Sequence, residues 1–270
     1  FASKFQTRPG FKIGSAIGCN PDVDWTRFYH DAMKFKYVYD VDYSNFDASH
    51  GTAIFDVIKQ EIFNSANGFD PRVWDFLDSL ACSTHAYEER RFQLIGGLPS
   101  GCSSTSVINT VINNVVIRTG LAMVYKNFDF YDIQVLAYGD DLLIATDFEL
   151  DLNLLKARME TIGYKITPAN KGTAFKDVMQ IGEAQFLKRK FVCDEGRPFL
   201  IRPVMERENL AAMLSFYRPG TMTERLESIV QLAVHSGKEV YDWLFKPYRD
   251  TGFIIPEWST ANRRWYSNFD

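Results

Sequence analysis

The sequence predicts an α+β fold, in which a domain of mixed strands and helices is followed by a smaller helical region. Alternating β-forming residues and short apolar runs indicate strands in the first two thirds of the chain. From Met205 onward the apolar spacing is helical to the end. Since 46% of the 270 residues are hydrophobic, the chain can bury a sizeable core.

The first hundred residues supply a strand, two helices and a further strand-like stretch. Residues 36–42 alternate and are rich in β-formers, which predicts a strand ending at Asp42. Apolar residues recur at helical spacing within 51–65, and Pro71 suits the first position of a helix that ends near Ala81. Residues 86–94 are strand-like.

A glycine-rich loop divides the chain before its most apolar helix. The loop Gly96–Gly101 has the strongest turn chemistry, and a buried helix is predicted to follow it to about Tyr125. The later predicted elements are a hairpin with strands at 133–138 and 142–145, a helix at 151–162 ended by Gly163, and a second hairpin at 185–192 and 198–201.

Charge, cysteines and hydropathy exclude several classes of protein. The formal net charge of -4 argues against a generally basic nucleic-acid binder, so any such contact must come from a local patch or from a segment outside this chain. The four cysteines lack metal-ligand spacing and predict free thiols in a reducing compartment. No uninterrupted apolar run reaches the roughly 20 residues of a transmembrane segment. The start at Phe1, without an initiator Met or a signal peptide, is interpreted as internal to a longer protein.

Two acidic features are the candidates for chemistry. Asp42 and Asp47 lie at the end of a predicted strand, and Asp140-Asp141 occupies the tip of a hairpin with apolar flanks. Adjacent carboxylates on a rigid tip repel one another unless a cation compensates. With a carboxylate from a neighbouring strand they would form an oxygen-rich site that suits Mg²⁺. Two such ions, about 3.5–4 Å apart, can align the reacting oxygens of a phosphoryl transfer. By contrast, His50 and His85 lie far apart and lack a Ser or Cys partner, so no nucleophilic triad is predicted.

Five segments follow one another in the order Asp42-x4-Asp47, Ser100-Gly101…Thr105…Asn109, Tyr138-Gly139-Asp140-Asp141, Thr167-Pro168-Ala169-Asn170-Lys171 and Phe186-Leu187-Lys188-Arg189. They resemble motifs A to E of the picornavirus RNA-dependent RNA polymerase, and their residues are most similar to those of the cardiovirus and aphthovirus branch. Residues 13–21 also resemble the segment before motif A. The resemblance extends over nearly the whole chain.

The resemblance implies a right-hand polymerase fold. Residues 1–192 would form the palm, an antiparallel sheet with packed helices, and residues 80–97 would be a short fingers insertion within it. Residues 193–270 would form a helical thumb. The N-terminal fingers, with their basic motif, would be largely absent, so the isolated chain is expected to be inactive or very weak.

The resemblance also implies the catalytic residues. Asp42 and Asp140 would bind both catalytic metals, with Asp141 as a weaker or second-metal ligand. The cofactor would be Mg²⁺, with Mn²⁺ as an alternative. Lys171 would be the general acid that protonates pyrophosphate. Asp40 points to the same side of the strand as Asp42, but the spacing to Asp47 favours Asp42 as the ligand and leaves Asp40 a supporting or salt-bridging role.

The implied substrates are ribonucleoside triphosphates and an RNA template-primer. Asp47, Thr105 and Asn109 would form a ribose-sensing set, because Asp can accept from a 2′-hydroxyl group and Asn can both donate and accept. The other implied contacts are Ser100 and Gly101 beside the templating base and incoming nucleotide, and Lys188 and Arg189 on the primer-strand backbone.

A small protein primer and other viral replication proteins are the partners that the resemblance implies. The implied location is the cytoplasm of the infected host cell, peripherally at membrane-associated replication complexes. Two alternatives stay open. One is a reverse-transcriptase-like polymerase, although Asp47 stands where such enzymes carry a bulky aromatic residue that excludes the 2′-hydroxyl group. The other is a non-catalytic module that binds RNA or proteins through its thumb.

Overall fold

The chain forms two compact units in the structure, a computed structural model. The first unit comprises Phe1–Gly18 with Tyr39–Val178, and the second comprises Cys19–Val38 with Met179–Asp270. The structure describes residues 6–63, 72–102, 104–125, 129, 131–169, 172, 174–176, 178–215, 218 and 220–270.

Among the described residues, helices and antiparallel strands are mixed along the first part of the chain and only helices follow the last strand, as the sequence predicts. The described α-helices are α1 (Pro21–Ala32), α2 (Thr52–Val57), α3 (Arg72–Ala81), α4 (Thr105–Val124), α5 (Leu152–Thr161), α6 (Arg207–Ser215), α7 (Met222–Ala233), α8 (Lys238–Phe245) and α9 (Trp258–Tyr266). The described strands are β1 (Tyr37–Ser44), β2 (Cys82–Tyr87), β3 (Arg90–Ile95), β4 (Ile133–Tyr138), β5 (Asp141–Thr146), β6 (Lys165–Pro168), β7 (Gln185–Phe186), β8 (Arg189–Cys193) and β9 (Ile201–Met205). A π-helical segment, Ile58–Phe63, continues α2.

A four-stranded sheet in the order β4-β5-β1-β6 is the centre of the first unit. β4 and β5 form the predicted hairpin, in which Tyr138 pairs with Asp141 and leaves Gly139 and Asp140 as the turn. Gly139 has φ +63°, a backbone region that glycine enters without steric cost. Residues 14–16 add to the other side of β4, because Ala16 N–H donates to the carbonyl oxygen of Ala137 at 2.8 Å.

The helix α4 lies against this sheet and is the core helix of the unit. It is long and apolar enough to cross a membrane by length and composition, but most of it is buried inside the protein. Ile112, Ile117 and Leu121 have no exposed surface, and the facing strands β4 and β5 are buried along nearly their whole length. Burying these side chains removes a large apolar area from water, which stabilises the sheet and fixes its turn.

The second unit combines a three-stranded sheet, in the order β7-β8-β9, with helices α1 and α6 to α9. Trp25 of α1 stacks on Phe191 of β8 with ring centroids 4.7 Å apart. The buried side chains of Leu210, Ile229 and Tyr241 belong to the core shared by the C-terminal helices. The predicted helical character of the chain after Met205 is confirmed.

Two strand predictions need correction. Residues 86–94 are not one strand but the turn and parts of both strands of the β2–β3 hairpin, because Glu88 adopts φ +54° and reverses the chain. The predicted hairpin at 185–201 is a three-stranded meander. Its first turn is at Leu187 and Lys188, which both have positive φ, and its last strand begins at Ile201. Pro71, the predicted helix start, lies outside the described residues, and α3 begins at Arg72.

Candidate active site

The acidic residues of the candidate site lie on adjacent parts of the first unit. Asp42 is on β1, Asp141 is the first residue of β5, and β1 and β5 are hydrogen-bonded neighbours in the sheet. Asp140 is exposed in the turn just before Asp141, whereas Asp42 and Asp141 are partly buried. One carboxylate oxygen of Asp42 accepts from the N–H of Tyr43 at 2.7 Å.

This donor set suits a hard divalent cation that shares its coordination with substrate. Among the described residues, no group of three or more His, Cys, Asp or Glu side chains is arranged to hold a metal ion. Mg²⁺ needs no such cage, because it is usually bound by one or two carboxylates and keeps water or substrate phosphate as its other ligands. The carboxylates of Asp42, Asp140 and Asp141 therefore fit Mg²⁺ by their chemistry.

Side chains of α4 hold the acidic turn in place. The hydroxyl oxygen of Thr110 accepts from the N–H of Gly139 at 2.8 Å, and the side-chain amide of Asn113 donates to the carbonyl oxygens of Gly139 at 3.0 Å and Asp140 at 3.4 Å. The hydroxyl group of Tyr43, on β1, donates to the side-chain amide oxygen of Asn113 at 3.1 Å. Burial raises the pKa of Tyr43 well above its ordinary value, so this hydroxyl stays a donor.

A second network surrounds Asp47, just after β1. One carboxylate oxygen of Asp47 accepts from the side-chain amide of Asn109 at 2.5 Å, and the other accepts from the hydroxyl group of Ser100 at 3.1 Å. The ring of His50 bonds the amide oxygen of Asn109 through Nε2 at 2.8 Å, and its Nδ1 lies 3.2 Å from the hydroxyl oxygen of Tyr164. The structure thus brings together three of the predicted nucleotide-binding residues.

The glycine-rich loop is bound to the backbone beside Asp47. The N–H of Gly97 donates to the carbonyl oxygen of His50 at 2.7 Å, and the N–H of Leu98 donates to that of Asp47 at 2.8 Å. Gly96, Gly97 and Gly101 all have positive φ. A Cβ at Gly96 would lie 2.7 Å from the carbonyl oxygen of His50, so the close approach also requires glycine.

The structure also describes the surroundings of Thr105, Lys188 and Arg189. The hydroxyl group of Thr105 donates to the carbonyl oxygens of Pro99 and Cys102, both at 2.9 Å, which ties the loop to the start of α4. Lys188 and Arg189 lie in the second unit, at the turn between β7 and β8, where Lys188 is exposed and Arg189 is partly buried. Lys171 lies outside the described residues.

Sequence reasoning missed His50, Thr110 and Asn113 as members of the site. Their signal was present, because Asn109, Thr110 and Asn113 interrupt an otherwise apolar helix and each is at most 5% exposed. Buried polar side chains need hydrogen-bond partners, so polar residues on a buried helix indicate a network. Their partners could not be named without the tertiary structure.

Comparison with known proteins shows the family of the chain. The family model "Viral RNA-dependent RNA polymerase" matches residues 1–252. The chain belongs to the viral RNA-dependent RNA polymerase family. It is 55% identical over 269 residues to the genome polyprotein of Mengo encephalomyocarditis virus, and 54% identical to that of Theiler's murine encephalomyelitis virus (strain BeAn 8386). Each alignment covers 100% of this chain and 12% of the polyprotein.

A solved polymerase shares the fold of this family member. The Sicinivirus 3Dpol RNA-dependent RNA polymerase aligns with a TM-score of 0.87 and 30% sequence identity, over 97% of this chain and 57% of that chain. The expected family and the expected fold of helices and antiparallel sheets are therefore confirmed. The chain spans about an eighth of the viral polyproteins that it matches and somewhat more than half of the solved polymerase.

Proposed function

We propose that the protein containing this chain is an RNA-dependent RNA polymerase, which adds ribonucleotides to an RNA 3′ end on an RNA template during viral genome replication. One observation carries the proposal. In a chain of this family, Asp42 lies on the strand next to the one that begins at Asp141, and the turn that presents Asp140 is fixed by α4. Such fixed carboxylates are what two-metal phosphoryl transfer requires.

Asp42 and Asp140 would hold the divalent ions, Mg²⁺ or Mn²⁺, and Asp141 would be the weaker ligand. When bound, the ions would supply charge stabilisation for the attacking and leaving oxygens. The chain's own contribution is positioning, since Asn113 and Thr110 fix the turn that carries Asp140. We assign Lys171 the protonation of pyrophosphate on the resemblance alone.

The surroundings of Asp47 favour ribonucleotides as substrates. Its two carboxylate oxygens accept from Asn109 and Ser100, and a carboxylate has further lone pairs with which to accept from a 2′-hydroxyl group. Gly101, with φ +96° and no atom within 4 Å of where a Cβ would lie, would allow the loop backbone to approach the nucleotide closely. Thr105 acts in this proposal by bracing the loop rather than by contacting Asp47.

The domains to which the successive segments of the chain belong are taken from the resemblance. Residues 1–192 would be the palm, with residues 80–97 inserted from the fingers, and residues 193–270 would be the thumb. Lys188 and Arg189 would contact the primer strand. The full-length protein would work with a small protein primer and other viral replication proteins in the cytoplasm of the infected host cell, peripherally at membrane-associated replication complexes. This chain alone would be inactive or very weak.

Primer extension by the full-length protein tests the proposal. With Mg²⁺, an RNA template-primer and ribonucleoside triphosphates, we expect synthesis by the wild type and a loss of more than about 100-fold in Asp140→Asn, beyond the 10- to 100-fold typical of supporting residues. Asp56→Asn, an exposed carboxylate on α2 in the same unit, is the matched control and should retain activity.

Other outcomes would assign other functions. A wild-type preference for deoxyribonucleotides would indicate a reverse-transcriptase-like enzyme. RNA binding without Mg²⁺-dependent synthesis, and without stabilisation by Mg²⁺ or Mn²⁺, would indicate a non-catalytic module. Full activity of Asp140→Asn would contradict the assignment of the metal site.

A further inference from the structure

The ring of His50 is enclosed in the first unit and joins two polar side chains there. It is 1% exposed and lies edge-on to Phe46, with ring centroids 4.6 Å apart. Its two nitrogens face Asn109 on one side and Tyr164, which is 5% exposed, on the other. The ring therefore connects Tyr164, in the segment between α5 and β6, to the network around Asp47.

Every proton in this chain of hydrogen bonds can be placed from the chemistry of the groups. A carboxylate only accepts, so the amide nitrogen of Asn109 faces Asp47 and its amide oxygen faces His50. The Nε2 of His50 must then carry the proton that it donates to Asn109. Its Nδ1 is left as the acceptor for the hydroxyl group of Tyr164.

The environment keeps each group in the required protonation state. Burial lowers the pKa of the His50 ring, although Asn109 and Asp47 act in the opposite direction, so the ring tends to be neutral. Burial raises the pKa of Tyr164 to about 12, so its hydroxyl group remains a donor. With both groups neutral, the carboxylate of Asp47, which only accepts, sets the direction of the chain from Tyr164 through His50 and Asn109 to Asp47.

The orientation of the Asn109 amide decides whether its nitrogen or its oxygen faces the carboxylate of Asp47. If the amide turned over, its oxygen would face the carboxylate at hydrogen-bond distance and repel it. His50 and Tyr164 oppose this, because a turned amide would require the ring proton to move from Nε2 to Nδ1 and the hydroxyl hydrogen of Tyr164 to turn away from the ring. Asp47 is in this way held by Asn109 and Ser100 with its remaining lone pairs free for a substrate hydroxyl group.

We propose that His50 and Tyr164 are positioning residues that set the preference for ribose over deoxyribose by fixing the Asn109–Asp47 pair. The inference rests on the proposed polymerase function and deepens it. Neither residue needs to contact the nucleotide. Their effect should appear in the use of ribonucleotides and not in the use of deoxyribonucleotides, which have no 2′-hydroxyl group for Asp47 to bind.

Sugar discrimination by variants of the full-length protein tests this inference. The measured quantity is the ratio of kcat/KM for ATP to that for dATP in primer extension with Mg²⁺. In His50→Phe, which keeps an aromatic ring but no nitrogen, we expect this ratio to fall about tenfold, equivalent to about 1.4 kcal/mol. The fall should come from ATP, with dATP unchanged.

Two further variants separate positioning from general support of the fold. His50→Gln keeps an N–H that can donate to Asn109, so it should retain most of the discrimination that His50→Phe loses. Tyr164→Phe removes the donor to Nδ1, and the ratio should fall about threefold, or about 0.65 kcal/mol. Tyr125→Phe is the matched control, because its hydroxyl group accepts from the N–H of Asp151 and takes no part in the chain of hydrogen bonds. Its ratio should equal that of the wild type.

The outcomes distinguish this inference from the proposed function. An equal fall of kcat/KM for ATP and dATP in His50→Phe, or an unchanged ratio, would overturn the inference and leave the polymerase function intact. Absence of RNA synthesis by the wild type would overturn the proposed function, and this inference with it. If His50→Phe does not fold, the comparison of Tyr164→Phe with Tyr125→Phe decides.

Discussion

The side-chain amide of Asn113 donates to the carbonyl oxygen of Gly139 at 3.0 Å, so a residue of α4 holds the turn that presents Asp140. The same side chain accepts from Tyr43, the residue that follows Asp42 on β1. A single buried side chain thus links the two segments that carry the proposed metal ligands. The precision of the site depends on this link, because small displacements of reacting groups are costly in catalysis.

Asn113→Leu should lower kcat more than it changes KM. Leu fills a similar volume but leaves the carbonyl group of Gly139 and the hydroxyl group of Tyr43 without their partner. We expect kcat for primer extension to fall about 10- to 100-fold, as for residues that support metal ligands. Asn153→Ala, at an exposed position on α5, is the control and should be unaffected. An unchanged kcat in a folded Asn113→Leu protein would show that the turn holds its shape without Asn113.

The stability of the second unit should depend strongly on the buried ion pair of Arg202 and Asp194. Their side chains are 10% and 2% exposed and meet at 2.5 Å, and Arg202 also donates to Asn262 of α9 at 2.7 Å. Burial alone would raise the pKa of Asp194, but the hydrogen bonds from Tyr266 and Arg202 outweigh it and lower this pKa below its ordinary value. Through the bond to Asn262, the pair connects β9 and the segment after β8 to α9.

Arg202→Leu should lower the free energy of unfolding by about 3–5 kcal/mol, because it leaves Asp194 charged and buried without its partner. Replacing both residues, in Arg202→Met with Asp194→Leu, should recover most of this loss. Lys238→Ala, which removes an exposed ion pair with Asp242, should cost only about 0.3–0.5 kcal/mol. Urea unfolding of the full-length protein measures all three. Equal losses in Arg202→Leu and Lys238→Ala would contradict the account.

Mild acid should destabilise the second unit through His235. Its Nε2 lies 2.8 Å from a carboxylate oxygen of Asp22, while its Nδ1 is buried without a hydrogen-bond partner among the residues that the structure describes. Burial lowers the pKa of His235 below its ordinary value of 6.5; Asp22 opposes this shift, and the charges of Arg202 and Arg189 add to it. The folded ring therefore stays neutral at pH values where the unfolded ring is already protonated.

The sign of the effect follows from proton binding. Below pH 6.5 the unfolded state binds a proton that the folded state does not, so stability falls as the pH drops from 6.5 toward the folded pKa of His235. Urea unfolding at a series of pH values should show this slope. In His235→Gln, which keeps a donor to Asp22 but does not titrate, the slope should become shallower. His50, whose pKa burial also lowers, should account for part of the slope that remains.

The sequence predicted those parts of the fold and site that depend on local patterns. The hairpin with Asp140 at its tip, the helix after the glycine-rich loop and the strand that carries Asp42 all follow from side-chain periodicity and turn residues. Asn109 was predicted from the motif order, and its amide bonds to Asp47 in the structure, while its role toward ribose stays a prediction. Such features need no knowledge of which elements meet.

The sequence alone could not show which side chains are the hydrogen-bond partners of buried polar residues. His50 was set aside because it lies far from His85 in the chain and lacks a Ser or Cys arrangement that suggests a triad. The fold places it between Asn109 and Tyr164, which is 114 positions away. The meander of β7, β8 and β9 was missed because Leu187 and Lys188 adopt positive φ, which neither residue type favours and which the surrounding structure must impose. Long-range contacts decide both cases.

The location of the divalent ions is the central claim. A crystal structure of the full-length protein with Mn²⁺, an RNA template-primer and a non-hydrolysable ribonucleotide would test it through the anomalous signal of the metal. We expect a metal ion within about 2.0–2.3 Å of carboxylate oxygens of both Asp42 and Asp140, close to the distances of Mg²⁺–oxygen bonds. A metal bound beside the nucleotide phosphates without either carboxylate would contradict the account.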